Sequence, residues 1–413
     1  MAGRDGITGN DTSPKTRQRR SVIVGGGIGA LMAAAAMATG SAVTAAPAKA
    51  DFDDLIDPII QPLITSLSDA VVGLDPAAAT DITSLGDSIL ASLNALDPSA
   101  AVSSAAEPAA AAASSDPTSG TYDIPLSLAE DTEPTVQATV DGSDTTLLVD
   151  TGSSGLVIPY TDLGSNVLTQ LESLFALGLP TGIGESGYTG GVDYLYLTYD
   201  NVSVDYGNGA LDTTNTPVDV EVFSWSDNSS DPTETFQSFL GDNDVTGILG
   251  IGDESADAGP TASPLEAAGY DGVTVNIPGD DLIVEPSNPG TAIATLDGAP
   301  TPSSDLTETV TTSSGAPVGT GSVSDDVDSG GVYGTIPSSI ASEVAQGDQI
   351  SVYDGNTLLY TYQVGTDSDG TDEAPTVISG TSIDSGVEPY LAEPVYIDYT
   401  DDTLTFDAPG SIG

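Results

Sequence analysis

Asp150-Thr151-Gly152-Ser153-Ser154-Gly155-Leu156-Val157-Ile158-Pro159 and Asp328-Ser329-Gly330-Gly331-Val332-Tyr333-Gly334-Thr335-Ile336-Pro337 share one pattern. In each, an Asp is followed by a small hydroxyl residue and a Gly, and an Ile-Pro pair closes the segment at the same distance from the Asp. Leu148-Val149 before Asp150 and Leu156-Val157-Ile158 after it predict buried strands around a tight turn, and Val327, Val332 and Ile336 repeat the arrangement. A lone Asp-Thr-Gly arises readily in the surface turns of a chain rich in Gly and Asp. Two copies with matching flanks do not. A third tripeptide, Asp384-Ser385-Gly386, reads as a decoy, because Val387-Glu388-Pro389 follows it and no apolar strand ends in Ile-Pro.

The chemistry of such a pair follows from charge. Two Asp carboxyls a few ångströms apart cannot both ionise, so they share one proton and titrate as a unit. The ionised member can draw a proton from a water while the protonated member polarises a carbonyl, with no metal and no covalent intermediate. Asp150 and Asp328 are therefore the candidate catalytic residues. Gly152 and Gly330 let the two loops approach each other. Thr151 and Ser329 can hydrogen-bond across to the opposite loop and hold the inter-carboxylate distance.

These segments resemble the pepsin superfamily and, within it, the actinobacterial PE-domain-processing aspartic proteases, over roughly residues 120 to 408. Gly247-Ile248-Leu249-Gly250-Ile251-Gly252 is similar to the hydrophobic-hydrophobic-Gly segment that threads behind the first catalytic loop. Gly187-Tyr188-Thr189-Gly190-Gly191, followed by alternating Tyr194, Tyr196 and Thr198, resembles the flap hairpin, and the resemblance makes Tyr188 the flap tyrosine over the substrate. Gly386 to Leu391 and Pro394 to Tyr399 resemble the closing segment of the second lobe. The resemblance implies an all-β, bilobal, pepsin-like fold and a polypeptide substrate among secreted or envelope proteins, with no cofactor. Two departures stand out. Ser153 is the hydroxyl residue that the family pattern uses to hydrogen-bond the first carboxylate, but Gly331 occupies the matching place after Asp328, which points to Asp328 as the more readily protonated member. Asp384-Ser385-Gly386 stands where the family carries an apolar pair before Gly.

Composition constrains function independently. All six basic residues, Arg4, Lys15, Arg17, Arg19, Arg20 and Lys49, lie in the first fifty positions, and His and Cys are absent. Of 62 carboxylates, only Asp5 and Asp11 share that region. Beyond residue 50, side-chain salt bridges are impossible, and at neutral pH the carboxylates repel one another throughout. Acid relieves that repulsion, so the chain is expected to be most stable and most active there. Nucleic-acid partners, Ser-His-Asp and Cys-His hydrolysis, and zinc sites built on His or Cys are excluded for lack of the side chains they need. The run Asp367 to Glu373 has part of the oxygen-ligand spacing of a calcium loop without a Glu at its twelfth position, enough for weak calcium binding only. No dedicated metal site is expected.

Residues 1–50 read as a signal peptide. Arg17, Arg19 and Arg20 precede a Gly- and Ala-rich apolar stretch that ends at Ala48-Lys49-Ala50, and the Arg19-Arg20 pair points to the twin-arginine route. A secreted or cell-envelope location follows. Val22 to Ala30 has the glycines of a dinucleotide turn, but no acidic residue about twenty positions on and no strand-helix-strand unit support it. Residues 51–118 read as a helical segment with an apolar stripe from Phe52 to Leu67, kinked by Pro58 and Pro62, followed by an Ala-, Ser- and Pro-rich linker.

From residue 119 onward, short Val-, Thr- and Tyr-rich runs alternate with Gly, Asp, Asn and Pro turns, and Val167 to Leu177 is the clearest helical pattern. The expectation is an N-terminal lobe over 119–275 and a C-terminal lobe over 276–413, each supplying one Asp loop. Both loops lie on one chain, so a monomer suffices. Two functions compete: a secreted aspartic endopeptidase, and a noncatalytic surface-binding or adhesion protein on the same β scaffold. Intact Asp residues in both loops favour the enzyme.

Overall fold

The computed structural model describes residues 120–164, 167–188, 191–226, 233–253, 260–365 and 373–412. The expected signal peptide, the 51–118 segment and most of the acidic run beginning at Asp367 lie outside the described residues.

Among the described residues strands dominate, and the longest helix is the ten-residue Val167–Ala176. Local alternation sets which side is buried. In the strand Leu306–Thr311, Leu306, Glu308 and Val310 point inward and the threonines between them are half-buried. The end of the strand that carries the first Asp loop, Leu147 to Asp150, and the strand Gly247–Ile251 beside it are buried on both faces and read as apolar runs, as strands at the centre of a layered structure do.

Two similar units organise the strands. In the first, Ser143–Asp150 runs parallel to Gly247–Ile251, with Leu148 opposite Ile248 and Asp150 opposite Gly250. Gly247–Ile251 also pairs antiparallel with Ser154–Pro159, so it threads between the two arms of the first Asp loop. In the second unit, Pro317–Asp326 runs parallel to Ser382–Asp384, with Asp326 opposite Asp384. Both Ile-Pro strands then pair in parallel with a neighbour: Ile158 lies opposite Val220 and Ile336 opposite Val377.

A thirteen-stranded sheet runs through both halves of the described residues. Its first strand, Tyr122–Ala129, pairs with Glu133–Val140 on one side and Asp281–Glu285 on the other. Gly272–Asn276 pairs with Asp281–Glu285 and with Val395–Asp398, and Thr403–Asp407 follows. The division at residue 275 thus falls inside a central strand of the sheet that stitches the two halves together. One large apolar cluster spans both halves, while a second gathers Leu148, Ile248 and a set of aromatic rings beneath the hairpin of Gly182–Tyr188 and Val192–Tyr206. Each fully buried large side chain of this kind contributes roughly 1.5–3 kcal/mol.

Candidate active site

The two Asp loops meet at the end of the strands that deliver them. Thr151 Oγ1 donates to the Val327 carbonyl at 2.8 Å and accepts from the Ser329 N–H at 2.9 Å. Reciprocally, Ser329 Oγ donates to the Val149 carbonyl at 2.7 Å and accepts from the Thr151 N–H at 3.1 Å. All four residues are buried, so breaking this crosslink would strand groups that water cannot reach, at about 1–3 kcal/mol each. Tyr390 adds a third element. Its hydroxyl donates to the Val327 carbonyl at 2.7 Å and lies 2.7 Å from Thr151 Oγ1.

Held this way, the carboxyls of Asp150 and Asp328 hydrogen-bond each other. The single N–H of Gly152 reaches Asp150 Oδ1 at 3.0 Å and Asp328 Oδ1 at 3.2 Å. Gly330 N–H donates to Asp328 Oδ1 at 2.8 Å, and Ser153 Oγ donates to Asp150 Oδ2 at 2.6 Å. A β-carbon at position 152 would overlap the Asp328 carboxyl, and one at 330 would come within 2.9 Å of Asp150 Cγ. Close approach of the loops, rather than backbone dihedral, is what requires glycine at these two positions.

Asp150 and Asp328 are 0% and 1% exposed. Burial raises the pKa of Asp150, while hydrogen bonds from Asp328, Ser153 and the Gly152 backbone pull it back. Burial raises Asp328 much further, and the neighbouring charges of Asp150, Asp384 and Asp326 add to it. Both carboxyls are thus pushed toward the protonated form, Asp328 more strongly than Asp150.

Tyr188 ends the strand Gly182–Tyr188 opposite Val192, at the turn of the hairpin. Its ring is 3% exposed and stacks on Phe239, Tyr194 and Phe236, with centroids 5.4, 5.8 and 6.2 Å away. Burial pushes its hydroxyl pKa up, with the charge of Asp150 a smaller contribution. The ring thus belongs to the aromatic cluster on the Asp150 side rather than to an open surface. Thr189 and Gly190 lie outside the described residues.

Behind the loops, the decoy tripeptide is structural. The parallel pairing of the second unit ends at Asp326 and Asp384, two residues before Asp328, whereas in the first unit Gly250 stands opposite Asp150 itself. Ser385 Oγ accepts from the Asp328 N–H at 3.3 Å. Val332, a β-branched residue with φ of 54°, sits in the left-handed region, and its carbonyl accepts from Val387 N–H at 2.8 Å. Sequence reasoning assigned no role to Tyr390 or Asp326, and placed Ser385 only within the segment that stands where the family carries an apolar pair before Gly. The detectable signal was the parallel between the two units, since Asp384-Ser385-Gly386 aligns with Ile248-Leu249-Gly250.

Residues 122–406 match the family model described as the PE-PGRS C-terminal aspartyl peptidase-like domain. PE cleavage protein A of Mycobacterium tuberculosis strain H37Rv is 35% identical over 308 residues, covering 69% of this chain and 52% of that protein. PE cleavage protein A of Mycobacterium marinum is 36% identical over 319 residues, with the same shares covered. The chain spans about half the length of the curated relatives it matches. Among solved structures, the aspartic proteinase from Irpex lacteus is similar at a TM-score of 0.49 and 14% identity, over 71% of this chain and 98% of that one. On the extent of the family match, the chain belongs to the PE-PGRS C-terminal aspartyl peptidase-like family.

Proposed function

We propose that the protein is an aspartic endopeptidase, exported from the cytoplasm, that hydrolyses extended polypeptide in acid with Asp150 and Asp328 as its dyad. The observation that carries this reading is the reciprocal Thr151–Ser329 crosslink, which costs four buried hydrogen bonds to arrange and has one evident purpose, holding two carboxyls in contact. In the reaction, ionised Asp150 takes a proton from a water between the carboxyls as its oxygen bonds to the scissile carbonyl carbon. Asp328 gives its proton to the carbonyl oxygen, forming a neutral diol. In the collapse Asp328 takes back a proton from one diol hydroxyl as the C=O re-forms and the C–N bond breaks, and the amine leaves with the proton returned by Asp150, which restores the singly protonated dyad.

The relatives are named for cleaving PE proteins, and a PE-type or other envelope polypeptide is the substrate class proposed for this chain. Both carboxyls are nearly inaccessible, so a substrate must displace part of their cover, and the Tyr188 hairpin is the element we assign to that movement. Export rests on the signal-like residues 1–50, and action as a monomer on the presence of both Asp loops in one chain.

The test is peptide hydrolysis across acidic pH, with and without pepstatin, by the unmodified chain and by Asp150→Asn and Asp328→Asn. Pepstatin-sensitive cleavage, lost in both variants, is expected. Cleavage that survives either substitution would eliminate the dyad, and no cleavage by the unmodified chain would favour a noncatalytic binding scaffold.

A further inference from the structure

The two units differ in what lies behind their Asp loops. Two residues before Asp150, on the same strand face, Leu148 stands opposite Ile248, and both are fully buried in the aromatic cluster. Two residues before Asp328, Asp326 stands opposite Asp384. An apolar pair in one unit is an acidic pair in the other. A second difference falls at the same place. Ser153 donates to Asp150, while a β-carbon at Gly331 would overlap the carboxyl of Asp384. The volume filled by a hydroxyl side chain beside Asp150 is filled beside Asp328 by a carboxyl from the strand behind it.

Asp384 is 5% exposed; its Oδ1 accepts from the Gly386 N–H at 2.8 Å, and its Oδ2 has no hydrogen-bond partner. Asp326 receives a hydrogen bond from Thr301 Oγ1 at 3.2 Å. We propose that Asp326 and Asp384 form a second proton-sharing carboxyl pair behind Asp328, and that they are positioning residues which set how far up in pH the Asp150–Asp328 dyad keeps its own proton.

Beyond the hydrogen bonds from Gly386 and Thr301, the surroundings offer the pair no positive charge. The groups facing it are Asp150 and Asp328 on the two loops, Asp325 on the same strand as Asp326, Glu308 reached through Asp325, and the Tyr390 hydroxyl from the closing helix. None is a cation, and Lys, Arg and His do not occur beyond residue 50. A carboxylate next to another carboxylate in such a place is stabilised only by a proton on its neighbour. Burial accordingly moves Asp384 up to about 8 and Asp326 up to about 6. Between about pH 6 and 8 the pair holds one proton and carries one negative charge, and that charge makes Asp328 harder to deprotonate. The dyad therefore stays singly protonated to higher pH than it would against the Leu148–Ile248 background of the first unit.

This inference rests on the protease reading, and its test separates the two. The pH dependence of kcat/KM is measured for the unmodified chain, Asp326→Asn, Asp384→Asn and the double variant. The double variant, with no charge behind Asp328, is expected to move the alkaline limb down by about one pH unit. Each single variant moves it less, because the remaining carboxylate keeps the charge. Altered packing alone would lower kcat or stability and leave the limb where it was, so an unmoved limb in an active double variant overturns the proposal. If the double variant does not fold, carbon-13 aspartate NMR of the unmodified chain decides. A buried carboxyl outside the dyad, absent from the Asp384→Asn spectrum, is expected to titrate above pH 6; a spectrum with no such carboxyl overturns the pair. That readout needs no turnover, so a chain that cleaves nothing refutes the protease reading while the pair is still judged by its titration.

Discussion

Moving the protein from acid to neutral pH should destabilise it steeply, and the buried carboxyls say by how much. Glu308 is 3% exposed, its Oε2 has no hydrogen-bond partner, and burial raises its pKa from 4.5 to about 7. Asp219 is raised to about 7 and Glu388 to about 8, also by burial. A folded-state pKa above the unfolded value means that the folded protein holds protons which the unfolded chain has already released. Stability then falls as pH rises, between the unfolded pKa of about 4 and the folded pKa. One such proton gives a slope of about −1.4 kcal/mol per pH unit, so Glu308 alone accounts for about 3 kcal/mol between pH 4.5 and 7. Against a total of about 5–15 kcal/mol, a few of these groups acting together bring the fold to the edge of unfolding. Surface repulsion has the same sign, and salt separates the two. At about 1 M salt the screening length is about 3 Å, which removes the surface part and leaves the buried protons. Urea midpoints measured from pH 4.5 to 7 in 1 M salt should therefore still fall, and Glu308→Gln should flatten the slope by about one proton's worth. A midpoint that is level or rises with pH would refute the reasoning.

Two further predictions concern the crosslink between the loops. Thr151→Val strands the buried Ser329 N–H while Tyr390 still donates to the Val327 carbonyl, and should cost about 1–3 kcal/mol in urea denaturation and about a hundredfold in kcat. Tyr390→Phe leaves Thr151 to satisfy the Val327 carbonyl, so it should cost only about 1 kcal/mol in the same assay; a loss equal to that of Thr151→Val would show that Tyr390, rather than Thr151, ties the loops together.

The parts of this fold written locally were legible in the sequence. Asp150-Thr151-Gly152 and Asp328-Ser329-Gly330 carry their geometry in residue types, because only a small hydroxyl can bridge two loops and only glycine lets a carboxyl pass over its α-carbon. The Val167–Ala176 helix and the hairpin after Tyr188 have their period and turn residues on the surface of the sequence. Contacts between distant strands were not legible. Nothing about Asp326 shows that Asp384 will stand opposite it, and the flank rule that marked Asp384-Ser385-Gly386 as a decoy tests for an Asp loop but is silent about the strand behind one. Tyr390 was hidden for the same reason, since its partners lie on loops far away in the chain. Burial of Tyr188 among Phe236, Phe239 and Tyr194 depends on three segments closing on one another, which a turn motif alone does not specify.

The absence of cations ties the site to the rest of the molecule. In a protein with arginines, a buried Asp can be held ionised by a partner; among the described residues here, every carboxyl with a resolved shift is displaced upward, with burial its leading cause. A lysine introduced near Asp384 would supply the missing partner, lower that carboxyl's pKa and release its proton at the pH where the dyad works. The upper end of the working range has two causes that coincide: loss of the dyad's proton, and ionisation of buried groups such as Asp219 and Glu308, which costs the fold stability. Reversibility tells them apart. Brief exposure to pH 8 followed by return to acid should restore activity at once if only the dyad had lost its proton, and with the delay of refolding if the buried carboxyls had ionised and opened the fold.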